Sequence, residues 1–155
     1  MATMRIDRKA SDNKYLHRDF HIGGDKGLVY VGEKYGDNGV KEYLRIASAR
    51  VYSPLVKAVK DRGLSAIADY LKNLYETEEA SDALDLTLSG GKLDVRVLYS
   101  PAVRYMRSAG YTPSRWYIEQ TRTVFETLSD LAGIGFTMRF YNEQTGEAEY
   151  SFFTV

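Results

Sequence analysis

The residue order predicts an α+β fold: a four-stranded, mostly antiparallel sheet built from two hairpins, with helices packed on one face and a helical N-terminal half. Three observations carry this. Apolar residues recur at spacings of three and four between Val40 and Leu74. The period changes to two at Leu84. Paired alternating runs, joined by glycine-bearing turns, then occur twice, before and after a helical stretch. A chain of 155 residues is one domain by size. Residues 1–14 read as a mobile tail and 15–155 as the domain, helical over 15–80 and sheet-and-helix over 82–155.

Met1 to Lys14 has no apolar periodicity and no apolar core of a signal peptide. Gly23-Gly24 punctuates the chain, and Asp25 is placed to cap a helix running to about Tyr35, with Leu28 and Val31 inward. Gly36-Asp37-Asn38-Gly39 is a turn cluster. Val40, Tyr43, Leu44, Ala47, Val51, Leu55 and Val59 form one stripe of a helix from Gly39 to about Arg62. Pro54 removes a backbone donor inside it and predicts a break near Tyr52-Ser53. Gly63 ends that element, and Leu64, Ile67, Leu71 and Leu74 define the next, to about Glu76.

Leu84, Leu86 and Leu88 alternate with polar residues, Ser89 to Lys92 turns the chain, and Leu93, Val95, Val97 and Tyr99 alternate in return. Ser100-Pro101 starts a short helix, Ser as N-cap and Pro as its first residue, ending at Gly110. Thr112-Pro113 opens a longer helix in the same way, with Trp116, Gln120, Val124, Leu128 and Leu131 inward and Gly133 as its stop. Phe136, Met138 and Phe140, then Ala148, Tyr150 and Phe152, make the closing hairpin about an Asn142–Gly146 turn.

Lys plus Arg and Asp plus Glu are 21 each, so no global field attracts nucleic acid or an anionic membrane. Neutrality leaves little colloidal repulsion, so a homo-oligomer is easily formed. Cysteine is absent, which excludes disulfides, thiolate metal sites and a catalytic thiol, and fits a cytoplasmic setting. No stretch is apolar enough to span a membrane. The 13 tyrosines stand out: their flat apolar bodies and polar tips suit either a core and an interface or an aromatic-rich pocket for a small polar molecule.

Both histidines lie in His17-Arg18-Asp19-Phe20-His21. In a helix, His17 and His21 stand one turn apart on one face, spaced to chelate a divalent metal. In an extended chain, His17, Asp19 and His21 point to one side as a two-histidine, one-carboxylate set. Either geometry places imidazole and carboxylate for acid–base work, which makes His17, Asp19 and His21 the candidate catalytic residues. A solvated loop with two incidental histidines is the plainer alternative. No cofactor is expected beyond that metal. Arg104 and Arg115 are candidate anchors for a substrate carboxylate, with Tyr15 and Trp116 as a wall. On a helix surface, Arg115/Glu119 and Arg122/Glu126 would instead be plain i,i+4 pairs. Ser100 at its helix start could serve an oxyanion, though an N-cap is the simpler role. The fingerprints of nucleotide, zinc-protease, calcium and serine-hydrolase sites are all missing from the sequence.

From 84 to 155, a strand ending at Ser100-Pro101, a following Gly110, a long helix and a closing hairpin resemble the L-2-amino-thiazoline-4-carboxylic acid hydrolase family and related vinyl-reductase-type ligand domains. That resemblance implies a small-molecule site between helices and sheet. The family pattern carries cysteine before the proline and again near the end, where this chain has Ser100 and none at all, so no catalytic residue is carried over. The expected function is hydrolysis of a small polar heterocycle or carboxylate by His/Asp acid–base chemistry. The alternatives are a non-catalytic small-molecule-binding or sensor domain and an oligomeric interaction subunit.

Overall fold

The first helix, α1 (Asn13–Val51), carries almost no apolar periodicity, yet it is continuous apart from a bend at Gly36. Its inner face is His21, Asp25, Leu28 and Gly32, spaced by four, three and four residues. In a computed structural model of the chain, residues 13–155 are described, with side chains from Arg18 onward except Asp19. The tail reading of residues 1–12 lies outside the described residues; Asn13 and Lys14 belong to α1.

Two expectations are corrected here. Gly23-Gly24 does not punctuate the chain, because the helix runs through it, and Asp25 caps nothing. It is wholly buried and accepts hydrogen bonds from the Tyr111 hydroxyl, the Ser114 amide and the Ser114 hydroxyl, each at 2.7 Å. The turn cluster shrinks to a single residue. Gly36 takes φ 73° and ψ −171°, a conformation that L side chains resist, and the helix resumes at once. The bend lets Leu28, Val40 and Leu44 meet Val124 in a small second core.

The proline break falls where expected. α2 (Ser53–Arg62) begins after Tyr52, and Gly63 separates it from α3 (Leu64–Thr77). The long stripe assumed across the break does not hold together, for Tyr43 and Val51 are 50% and 68% exposed. A 3₁₀ turn (Ser81–Ala83) leads into β1 (Leu84–Ser89) and β2 (Lys92–Val97). α4 (Pro101–Ser108) is capped by Ser100, whose hydroxyl accepts the Val103 amide at 3.2 Å.

The expected helix start at Thr112-Pro113 is also corrected. Asp25 takes the Ser114 amide and hydroxyl, and the Trp116 amide turns back to Ser114 Oγ at 3.3 Å, so the segment stays irregular. A 3₁₀ helix (Tyr117–Gln120) intervenes, and α5 covers only Arg122–Ala132. Leu131, expected inward, is 43% exposed. β3 (Ile134–Tyr141) and β4 (Ala148–Thr154) close the chain.

The sheet is antiparallel in the order β1-β2-β4-β3, with a register shift between Met138 and Phe140. Leu93, Val95, Val97, Ala148, Tyr150 and Phe152 point to the face covered by α3 and α5. Phe125 of α5 sits at 5.2–5.9 Å from the rings of Phe136, Tyr150 and Phe152, so aromatic packing holds helix to sheet. The opposite face is polar: Ser151 donates to Asp94 at 2.5 Å, and Arg139 bonds both. Among the described residues, no helix is long and apolar enough to cross a membrane.

Candidate functional site

The start of α1, the end of α3 and α4 enclose a cleft of about 330 Å³. Its chemistry comes from Arg18, Glu78, Glu79, Tyr99, Arg104 and Tyr105. Glu78 ends α3 and has a side chain only 6% exposed. Arg18 reaches it from α1 at 3.9 Å and Glu79 at 3.2 Å. His21, one turn further along α1, places Nε2 at 3.2 Å from Glu78 Oε1. The imidazole therefore stands behind the carboxylate that lines the cleft.

Arg104 is placed differently. Its guanidinium lies 3.3 Å from the centroid of the Tyr99 ring, and the Tyr99 hydroxyl donates to Asp82 at 2.9 Å. Partial burial and the bond to Asp82 hold the Tyr99 phenol above its ordinary value, with Arg104 acting the other way. Among the described residues, no carboxylate forms an ion pair with Arg104. The cleft thus combines one arginine neutralised by glutamates with a second, stacked and oriented, that has no carboxylate partner among the described residues.

The sequence-predicted site residues separate into groups. Arg104 lines this cleft and His21 adjoins it. The backbone from 17 to 21 is helical, so the extended arrangement of His17, Asp19 and His21 is overturned; position 19 stands roughly 200° round the helix from 17. The side chains of Tyr15, His17 and Asp19 lie outside the described residues. Among the described residues, no group of three or more His, Asp or Glu side chains is arranged to hold a metal ion.

Arg115 and Trp116 are elsewhere. They line a second cavity of about 250 Å³ with Asp37, Lys41, Glu119 and Arg122. Arg115 pairs with Asp37 at 3.1 Å and lies 4.3 Å from the Trp116 ring, whose Nε1 donates to Asp37 at 2.8 Å. The Trp116 bond, then the Arg115 charge, hold Asp37 below the usual carboxylate range. Neither expected i,i+4 pair forms: Arg122 bonds Glu119, three residues back. Burial pushes Glu119 up, but its bonds from Arg122 and Thr123 outweigh this and leave it low. Ser100 acts as the helix cap.

Sequence reasoning missed Glu78, and it missed a third, smaller cavity of about 60 Å³ ringed by Tyr75, Tyr117, Tyr141 and Tyr150, with Ser100 and Thr121. Burial, first in each case, pushes all four phenols above their ordinary value, Tyr141 to about 12. The excess of tyrosine was a visible signal. Which tyrosines converge was not, because they come from α3, a 3₁₀ helix, β3 and β4. Comparison with protein-family models, curated proteins and solved structures finds no match for the chain.

Proposed function

We propose that this protein binds a small carboxylate-bearing polar molecule in the cleft between the start of α1, the end of α3 and α4. The observation that carries the reading is Arg104, a guanidinium pre-oriented on the Tyr99 ring at the wall of the cleft, with no carboxylate partner among the described residues. Stacking fixes the plane of the fork, so less side-chain freedom is lost when it takes a carboxylate bidentately. At about 330 Å³ the cleft lies at the small end of ligand sites. Glu78 and Glu79 on the same wall suit a ligand that also carries a donor group.

The test is calorimetric titration with acetate, benzoate and glycine. At least one should bind and raise the melting temperature. Arg104→Met should then lose about ten- to a hundred-fold in affinity, as expected for a charge-assisted pair of about 1.5–3 kcal/mol. Undiminished binding by Arg104→Met would refute the assignment.

A second reading, hydrolysis of a carboxylate-bearing ester such as O-acetylglycolate, in which water adds to the acyl carbonyl and the alkoxide leaves with a proton, rests on the His21–Glu78 pair, an imidazole and a carboxylate 3.2 Å apart beside the cleft. His21→Gln separates the two. Under the hydrolytic reading it abolishes product formation, followed by NMR, while binding persists. Under the binding reading no product forms with either protein.

A further inference from the structure

We propose that Asp82 is a positioning residue of the cleft: it fixes the Tyr99 ring, and through that ring the plane of the Arg104 guanidinium that takes a carboxylate. The role rests on the reading of the cleft as a carboxylate site. Asp82 is exposed and sits in the 3₁₀ turn between α3 and β1, outside the residues that line the cleft. Its Oδ1 accepts the Tyr99 hydroxyl at 2.9 Å. On the face of that same ring lies the Arg104 guanidinium, 3.3 Å from the centroid. The bond uses the hydroxyl in the ring plane and the stack uses the ring face, so both contacts act on one side chain without competing.

The backbone around these side chains is already tied. The Leu98 amide donates to the Ala83 carbonyl at 2.8 Å and the Ser100 amide to the Thr145 carbonyl at 2.9 Å, so both neighbours of Tyr99 are held. Ala83, next to Asp82, is wholly buried, and its amide donates to the Ala80 carbonyl at 2.9 Å, which anchors the turn. Arg104 stands on α4, whose start is capped by Ser100. What is left to fix is the rotation of two side chains. The Tyr99 hydroxyl would otherwise turn to water, and an arginine on a helix surface has rotamers enough to leave the ring. With the ring pinned at Asp82, the guanidinium has a fixed face to lie on, and its plane is set before a carboxylate arrives. A phenol that donates to a carboxylate is also richer in electrons, which strengthens the hold of its ring on a cation. Among the described residues no cation pairs with Asp82, so its bond goes to Tyr99.

The experiment uses the full chain and two readouts. The first is the NMR signal of the Arg104 Hε in the protein alone, which the ring current of Tyr99 holds upfield of its position in Tyr99→Leu. The second is calorimetric titration with acetate, benzoate and glycine. Asp82→Ala should move the Arg104 signal toward the Tyr99→Leu position and weaken binding about three- to ten-fold, with the circular dichroism of the fold retained. Asp82→Asn, which keeps an acceptor and drops the charge, should restore most of both. Tyr99→Phe should match Asp82→Ala, and adding Asp82→Ala to it should change nothing further. The proposal is overturned if either the Arg104 signal or the affinity stays at its wild-type value in Asp82→Ala. It is overturned equally if Asp82→Asn recovers neither, or if Asp82→Ala weakens Tyr99→Phe as much as it weakens wild type, the mark of a direct charge effect. In those cases Arg104→Met still loses binding and the cleft keeps its carboxylate role. If Arg104→Met binds as wild type, or none of the three compounds binds, the cleft reading itself falls and the role of Asp82 falls with it.

Discussion

Asp25 is a fully buried carboxylate whose three hydrogen-bond partners are two hydroxyls and one amide. Those bonds tie the middle of α1 to residues 111–114. They also explain why Thr112-Pro113 starts no helix, because the donors a helix would present are committed to Asp25. Burial, then the bond to Asp25, push the Tyr111 phenol up to about 12. Asp25→Ala would strand three partly buried donors at once. Equilibrium urea unfolding at pH 7 should show a loss of about 3 kcal/mol or more. Asp25→Asn, which keeps an acceptor but brings two extra donors, should lose less. A loss within 0.5 kcal/mol for the alanine variant, the usual effect of an unremarkable surface change, would mean the knot is dispensable.

At the scale of elements, the strands were legible and α1 was not, for a physical reason. A strand half-buried on one sheet face must alternate, so Leu93, Val95 and Val97 announce themselves, and so do Tyr150 and Phe152. α1 buries a face made of His21, Asp25, Leu28 and Gly32. Two of these are polar and satisfied by partners 57 and 86 residues away, which no local pattern reveals. The glycines of α1 then read as breakers although they have opposite roles. A Cβ on Gly27 meets nothing within 4 Å, whereas one on Gly32 would sit 2.5 Å from the Trp116 ring. Gly27→Ala should therefore stabilise by about 0.5–1 kcal/mol through helix propensity. Gly32→Ala gains the same propensity but must displace an indole pinned to Asp37 at 2.8 Å, and should destabilise by about 1–3 kcal/mol. Urea midpoints that shift in the same direction for both variants would show that Trp116 does not pack on α1 as described. The candidate site was half legible on the same grounds: Arg104 and His21 could be named as types, but Glu78 acquires its meaning only where α3 ends against α1.

For the whole molecule, the consequence of placing tyrosine inside is an asymmetric response to pH. Tyr70, Tyr75, Tyr117 and Tyr150 are all pushed well above the ordinary phenol, burial being the leading cause in each, and Tyr111 and Tyr141 are pushed to about 12. In the unfolded chain the same phenols ionise near their ordinary value of about 10. Above that pH the unfolded state releases protons that the folded state retains, so stability, fully present below it, falls as pH rises toward the folded values. Six phenols acting together make that fall steep. The acid side has the opposite sign: Glu119, held low by Arg122 and Thr123, contributes stability that is present above its ordinary range and lost only as pH drops below it. The molecule should therefore hold its structure into mildly acidic solution and unfold cooperatively in alkali. Absorbance at the phenolate band, followed with far-ultraviolet circular dichroism from pH 8 to 12.5, should show a first group of exposed tyrosines ionising while helicity is constant. The remainder should ionise in one step that coincides with loss of helix. Smooth titration of every phenol near pH 10 with the helix signal intact would show that these rings are in contact with water. It would remove the internal tyrosine cluster on which the core packing at Tyr150 depends.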